Sequence, residues 1–210
     1  MQNPRFDDAI AEYERQDRKR PPEKGGIVCT GSSIMRQWTT LAEDMAPMPV
    51  INRAFGGSQT WEVLQYMDRV VLPYQPRVIL YYCGSNDLGN GRSGQQAFDG
   101  FREFTVRAAA ALPDAMILYL SINRVLPKQS IWGELDKAND LASALCAGDS
   151  RLTFVDINPC LFDADGAMRD GFFREDHVHL YPPAYRAICR TVRPILSATW
   201  QRALGHQSGP

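Results

Sequence analysis

The chain has 210 residues, 23 basic and 24 acidic, for a formal net charge of -1. That is one domain of ordinary size with no excess of either sign, and no basic stripe interleaved with aromatics argues for a nucleic acid partner. The five cysteines (Cys29, Cys83, Cys146, Cys160, Cys189) are odd in number and lack CxxC spacing, so buried free thiols are expected rather than a disulfide framework or a zinc site. No apolar run is long enough to span a bilayer and no h-region opens the chain. A cytoplasmic location is expected, or a secreted one if a signal peptide has been removed.

In chain order, residues 6–20 read as an amphipathic helix with Phe6, Ile10 and Tyr13 on one side, stopped by Pro21-Pro22. Arg15 to Lys24 reads as a solvated face and linker. A strand at Ile27–Thr30 closes on Gly31, and Ser32-Ser33 stand where a helix can begin. A serine in such a turn lies among free backbone N–H groups, which makes Ser33 the candidate nucleophile.

The pattern then repeats. A second strand from Pro49 to Phe55 ends in Gly56-Gly57-Ser58 and leads to a helix from about Gln59 to Val71. The third strand, Arg77 to Cys83, is apolar on both faces, as suits a central parallel strand, and ends in Gly84-Ser-Asn-Asp87. Ser93 and Gln96 form a capping box for the next helix. A fourth strand at about Ala115–Ser121, a helix at about Ile131–Cys146 and a fifth strand at Leu152–Ile157 follow. The irregular stretch from Asn158 to Val178 carries a turn at Asp163–Gly166 and delivers Asp176-His-Val-His179. Pro182-Pro183 suit the first turn of a final helix, which Pro194 should kink or restart. The expected organisation is a single domain over 1–210, with an N-terminal helix at 6–20, a core at 25–204 and a disordered tail at 205–210 that holds His206.

Strands alternating with helices imply right-handed crossovers and a parallel sheet covered on both faces, an α/β architecture whose ligands sit beyond the carboxyl ends of the strands. A serine hydroxyl needs a base, in practice an imidazole oriented by a carboxylate. Asp176, three residues before His179 on one loop turn, has that spacing, while His177 should point away. Three oxyanion donors offer themselves: the N–H of Ser33, the N–H of Gly57 and the side-chain amide of Asn86.

Four ordered blocks, Gly31-Ser32-Ser33, Asn52-Arg-Ala-Phe-Gly-Gly57, Gly84-Ser-Asn-Asp87 and Asp176-x-x-His179, resemble those of the SGNH (GDSL) hydrolase superfamily from about Gly25 to Tyr185. The wording is similar to that of the branch holding lysophospholipase-like esterases and relatives of the platelet-activating-factor acetylhydrolase catalytic subunits. The resemblance implies a flavodoxin-like three-layer α/β/α sandwich with five parallel strands and no metal or cofactor. It implies Ser33 as nucleophile, His179 as base, Asp176 as its orienter, and Ser33, Gly57 and Asn86 as the oxyanion hole. Asp87 would brace the Asn86 loop, and Arg36 and Trp38 would anchor the first helix after the nucleophile. Two departures stand out: Ser32 replaces the Asp that usually precedes the nucleophile, and Ala54 replaces a common Gly.

The expected activity is hydrolysis of a small-molecule carboxylic ester through an acyl-enzyme. Short, acetyl-like acyl groups are favoured because no apolar lid helix is evident. Trp61, Tyr82, Asn123, Trp132, Tyr181 and the loop Asn123–Ile131 are candidates to border the pocket. A lysophospholipase or thioesterase acting on longer acyl groups is the alternative within the class. Outside it stand a flavin- or phosphate-binding flavodoxin-like module, a metal site on His177, His179 and Asp176, and a non-catalytic carbohydrate binder. A homo-oligomer is left open.

Overall fold

The computed structural model describes residues 4–205. Five strands, β1 (Ile27–Gly31), β2 (Val50–Asn52), β3 (Val78–Tyr82), β4 (Met116–Leu120) and β5 (Leu152–Val155), form one sheet in the order β2-β1-β3-β4-β5, and every neighbouring pair is parallel. The helices are α1 (Asp7–Lys19), α2 (Ser33–Arg36), α3 (Leu41–Asp44), α4 (Thr60–Val70), α5 (Ser85–Gly89), α6 (Gly94–Ala111), α7 (Trp132–Ala147), α8 (Asn158–Leu161) and α9 (Pro182–Gly205).

Side-chain alternation along the strands sorts these helices into two layers. Val28, Ile79, Tyr81, Ile117 and Tyr119 point into one core with the apolar stripes of α1, α4, α6 and α7. Ile27, Cys29, Leu80, Tyr82, Leu118 and Leu120 point into the other with α2, α3, α8 and α9. The strands β1, β3 and β4 are buried along their whole length, which is why their sequences are continuous apolar runs rather than alternating ones. This is a three-layer α/β/α sandwich.

Ser93 caps α6 by accepting the Gln96 N–H at 3.2 Å while the Gln96 side chain accepts the Ser93 N–H at 2.9 Å. The second strand is shorter than its sequence suggests, ending at Asn52 before the turn that carries Gly56 and Gly57. Helix α9 is continuous through Pro194, with no restart there, and takes in Gly205, which was placed in the tail. Val192 and Leu196, both fully buried, hold the helix in the core on either side of the missing N–H donor. His206 and the rest of the expected tail lie outside the described residues.

Arg53 was given no role by its sequence, yet it is 8% exposed, between the rings of Tyr13 and Tyr74 at 5.0 and 4.9 Å. It forms an ion pair with Asp17 and donates to the Tyr74 hydroxyl at 2.8 Å. The stretch from Arg15 to Lys24 is therefore not wholly a solvated face, because Asp17 turns inward to neutralise a buried cation. Of the five free cysteines, Cys29, Cys83 and Cys146 are buried, and Cys160 and Cys189 only partly so. Among the described residues no helix is long and apolar enough to cross a membrane.

Candidate active site

The carboxyl ends of β1 and β3 are level, with Gly31 paired to Tyr82. Gly31 adopts φ +125°, and a Cβ there would lie 1.7 Å from the Tyr82 carbonyl oxygen. Only glycine lets the two strand ends approach so closely. The Gly31 carbonyl accepts the Phe55 N–H at 2.9 Å and the Ser58 hydroxyl at 3.0 Å, so the turn after β2 is pinned to the end of β1. The Ser32 N–H donates to the Tyr82 carbonyl at 2.9 Å, and Ser33 then opens α2. N–H groups in a first helical turn have no partner within the helix.

The turn after β2 reaches over this serine. A Cβ built on Gly56 would sit 3.8 Å from Ser33 Cβ. Gly57 adopts φ +83°, a left-handed conformation that favours a residue without a side chain. Asn86 in α5 donates through Nδ2 to the Ser58 carbonyl at 3.0 Å, which spends one of its two amide hydrogens and leaves the other.

Behind Asn86, the buried Asp87 carboxylate accepts the Thr60 N–H at 2.9 Å and the Thr60 hydroxyl at 2.7 Å, and so fastens this loop to the start of α4. Burial raises the Asp87 carboxyl above its ordinary pKa. On the outer side, Lys128 donates to the Ser85 carbonyl at 2.7 Å and the Ser85 hydroxyl at 2.9 Å, and partial burial lowers its pKa.

His179 comes from the far end of the chain. Its Nδ1 is 2.6 Å from Asp176 Oδ2, and Asp176 Oδ1 accepts the backbone N–H groups of Val178 and His179 at 2.9 Å each. The His179 side chain beside it, followed by these backbone donors, holds the Asp176 carboxyl well below the usual carboxylate range. His177 is exposed at φ 53°. The loop is held by short-range contacts: Arg174 N–H to His179 O at 2.8 Å, Tyr181 N–H to Phe172 O at 2.8 Å, and a bridge between Phe173 and Leu180.

Ser33, Gly57, Asn86 and His179 line one cavity of about 330 Å³, together with Ser32, Gln37, Tyr82, Asn123, Val125 and Val178 among others. Tyr82 and Asn123 are its buried floor, the Tyr82 hydroxyl donating to Asn123 Oδ1 at 2.5 Å.

Three of the expected pocket residues lie elsewhere. Trp132 turns its indole N–H to the Val125 carbonyl at 3.1 Å and faces a neighbouring cavity of about 510 Å³, with Phe162 against its edge. Tyr181 donates its hydroxyl to Glu175 at 2.6 Å. Trp61 does not border this cavity, since Thr60, Val63, Met67 and Val70 belong to the buried stripe of α4 and it falls beside that stripe. Of the loop Asn123–Ile131, Asn123 and Val125 reach the cavity.

Trp38 is buried, donates to Asp44 at 2.6 Å and packs on Tyr185. Arg36 was expected to anchor α2 as well, but it is exposed and has no hydrogen-bond or ion-pair partner among the described residues, while Trp38 and Met35 fill the inward side. Sequence reasoning also missed Gln37, one helical turn beyond Ser33. The i, i+4 spacing from Ser33 was the available signal.

A five-stranded parallel sandwich with these four blocks gathered at its carboxyl edge defines a carboxylic ester hydrolase of the SGNH superfamily. Residues 26–187 match the model of the GDSL-like lipase/acylhydrolase family, and the chain belongs to that family. Among curated relatives, the platelet-activating factor acetylhydrolase IB subunit alpha1 of Bos taurus is 24% identical over 192 residues, spanning 88% of this chain and 80% of that one. The human protein of the same name is 25% identical over 178 residues, 81% of this chain and 74% of its own. Among solved structures, a GDSL-like lipase from Bacteroides thetaiotaomicron superposes with a TM-score of 0.73 at 15% identity, covering 90% of this chain and 97% of its own.

Proposed function

We propose that this protein is a serine esterase that removes short acyl groups through a Ser33, His179 and Asp176 triad. The observation that carries the reading is the shared cavity, in which Ser33, Gly57, Asn86 and an Asp176-bound His179 border one small space. Its volume of about 330 Å³ lies at the lower end of the roughly 300–1,000 Å³ range of ligand pockets, which favours an acetyl-like acyl group over a long chain.

In this mechanism Ser33 Oγ attacks the ester carbonyl carbon while His179 Nε2 takes the hydroxyl proton. The carbonyl oxygen becomes an oxyanion facing the N–H groups of Ser33 and Gly57 and the spare amide hydrogen of Asn86. Donors of this kind, preorganised where charge develops, are each worth roughly 3 kcal/mol of transition-state stabilisation. The carbon–oxygen bond to the alcohol then breaks, and His179 returns the proton to the departing alkoxide. Water, deprotonated by His179, attacks the acyl-serine and releases the acid and a free Ser33. Asp176 stays ionised throughout, fixes Nδ1–H toward itself and stabilises the imidazolium.

The test is hydrolysis of p-nitrophenyl acetate, butyrate and decanoate by the wild type and by Ser33→Ala. Turnover that falls with chain length and is abolished in the variant is the expected result; turnover unchanged in Ser33→Ala would reject the assignment.

A further inference from the structure

Gln37 follows directly on α2, and its backbone N–H donates to the Ser33 carbonyl at 2.9 Å. It therefore stands one helical turn beyond Ser33 on the same side, and it lines the same cavity. Among the described residues its enclosed side-chain oxygen has no hydrogen-bond donor, and its amide nitrogen has no acceptor.

The other side-chain amides lining the cavity, and the Ser85 hydroxyl, have protein partners. Asn86 donates to the Ser58 carbonyl, Asn123 accepts from Tyr82 and donates to the Arg124 carbonyl, and the Ser85 hydroxyl accepts from Lys128. Enclosed carbonyls without a donor are destabilising and few in native interiors. One placed beside a nucleophile has a reason to persist if the ligand supplies the missing partner.

We propose that Gln37 binds a hydroxyl on the alcohol half of the substrate, so that the preferred substrate is a short-chain ester of a polyol. This deepens the Ser33 hydrolase reading and rests on it. A primary amide holds an acceptor and a donor side by side, and a hydroxyl or a pair of neighbouring hydroxyls answers both. Binding in this way requires Oε1 to turn from its enclosed position toward the cavity that Gln37 lines. An acetyl-like acyl group carries no hydroxyl, so the group that meets Gln37 belongs to the alcohol.

The experiment compares kcat/KM for glycerol monoacetate and n-propyl acetate, which share a three-carbon alcohol and differ in the two extra hydroxyls. It uses the full chain as wild type, Gln37→Leu and the near-isosteric Gln37→Met. The wild type should prefer glycerol monoacetate. Both variants should lose about tenfold or more on that ester, the scale of one hydrogen bond left unmade, while keeping their turnover of n-propyl acetate. The retained n-propyl acetate activity shows in the same assay that the variants are folded. An equal loss on both esters, no loss on either, or a wild type indifferent to the extra hydroxyls would overturn the proposal. Turnover of both esters that survives Ser33→Ala would instead bring down the hydrolase reading and the proposal with it.

Discussion

The carboxylate of Asp176 holds the imidazole of His179 at 2.6 Å from Nδ1 and is itself held by the two backbone N–H groups of Val178 and His179. One side chain thus sets the ring orientation and closes the loop that carries the ring.

Replacing Asp176 by Asn keeps the shape but removes the charge and presents an amide where Nδ1–H needs an acceptor. The expected result is a fall in kcat of about a hundredfold or more with little change in KM, by analogy with triads whose carboxylate is neutralised. Steady-state kinetics on p-nitrophenyl acetate would measure it, and a change under about threefold would count against a role for Asp176. Because Asp176 is held below the ordinary carboxylate range, its contribution to the folded loop is complete above about pH 3.9 and is lost only as pH falls toward the depressed folded value. Loss of activity on acidification from neutrality to pH 5 must then come from a group other than Asp176.

Asp87 behaves in the opposite sense. Burial raises its carboxyl, so the folded protein binds this proton more tightly than the unfolded chain does. Its contribution favours folding at low pH and declines as pH rises from about 3.9 through the folded value. In Asp87→Asn, which can still accept from the Thr60 hydroxyl, that decline is absent. The difference in Tm between variant and wild type should shift toward the variant between pH 4 and 7; a constant difference over that range would refute the assignment.

Gly31→Ala tests the strand contact beneath Ser33. A methyl group 1.7 Å from the Tyr82 carbonyl oxygen cannot be accommodated without moving β1 against β3. The variant should lose about 4 kcal/mol or more of stability, enough to deplete soluble folded protein. Urea denaturation gives the number, and a loss under about 1 kcal/mol would show that the strands can part at little cost.

Much of this architecture was legible in the sequence because its signals are local. The apolar runs at β1, β3 and β4, the Ser93 and Gln96 capping box, and the Asp176 and His179 spacing each announce themselves within a few residues. The helices α3, α5 and α8 span only four or five residues, less than two turns, so no periodicity could reveal them. The buried pairing of Arg53 with Asp17 joins positions 36 apart and had no local trace. The aromatic residues were the least readable. Whether Trp132 faces the catalytic cavity or its neighbour depends on which carbonyl its N–H meets, and that is settled by tertiary packing.

Sheet order divides the site by origin. Ser33, Gly57 and Asn86 follow β1, β2 and β3, three adjacent strands, whereas His179 arrives on the segment after β5 at the opposite edge. Ser33, Gly57 and Asn86 are thus carried by one side of the sheet. His179 sits on a segment whose backbone bonds, Arg174 N–H to His179 O and Tyr181 N–H to Phe172 O, are short-range. A substitution within residues 158–181 therefore alters the segment that delivers His179 while leaving the sequence of the three strands behind Ser33, Gly57 and Asn86 as it is.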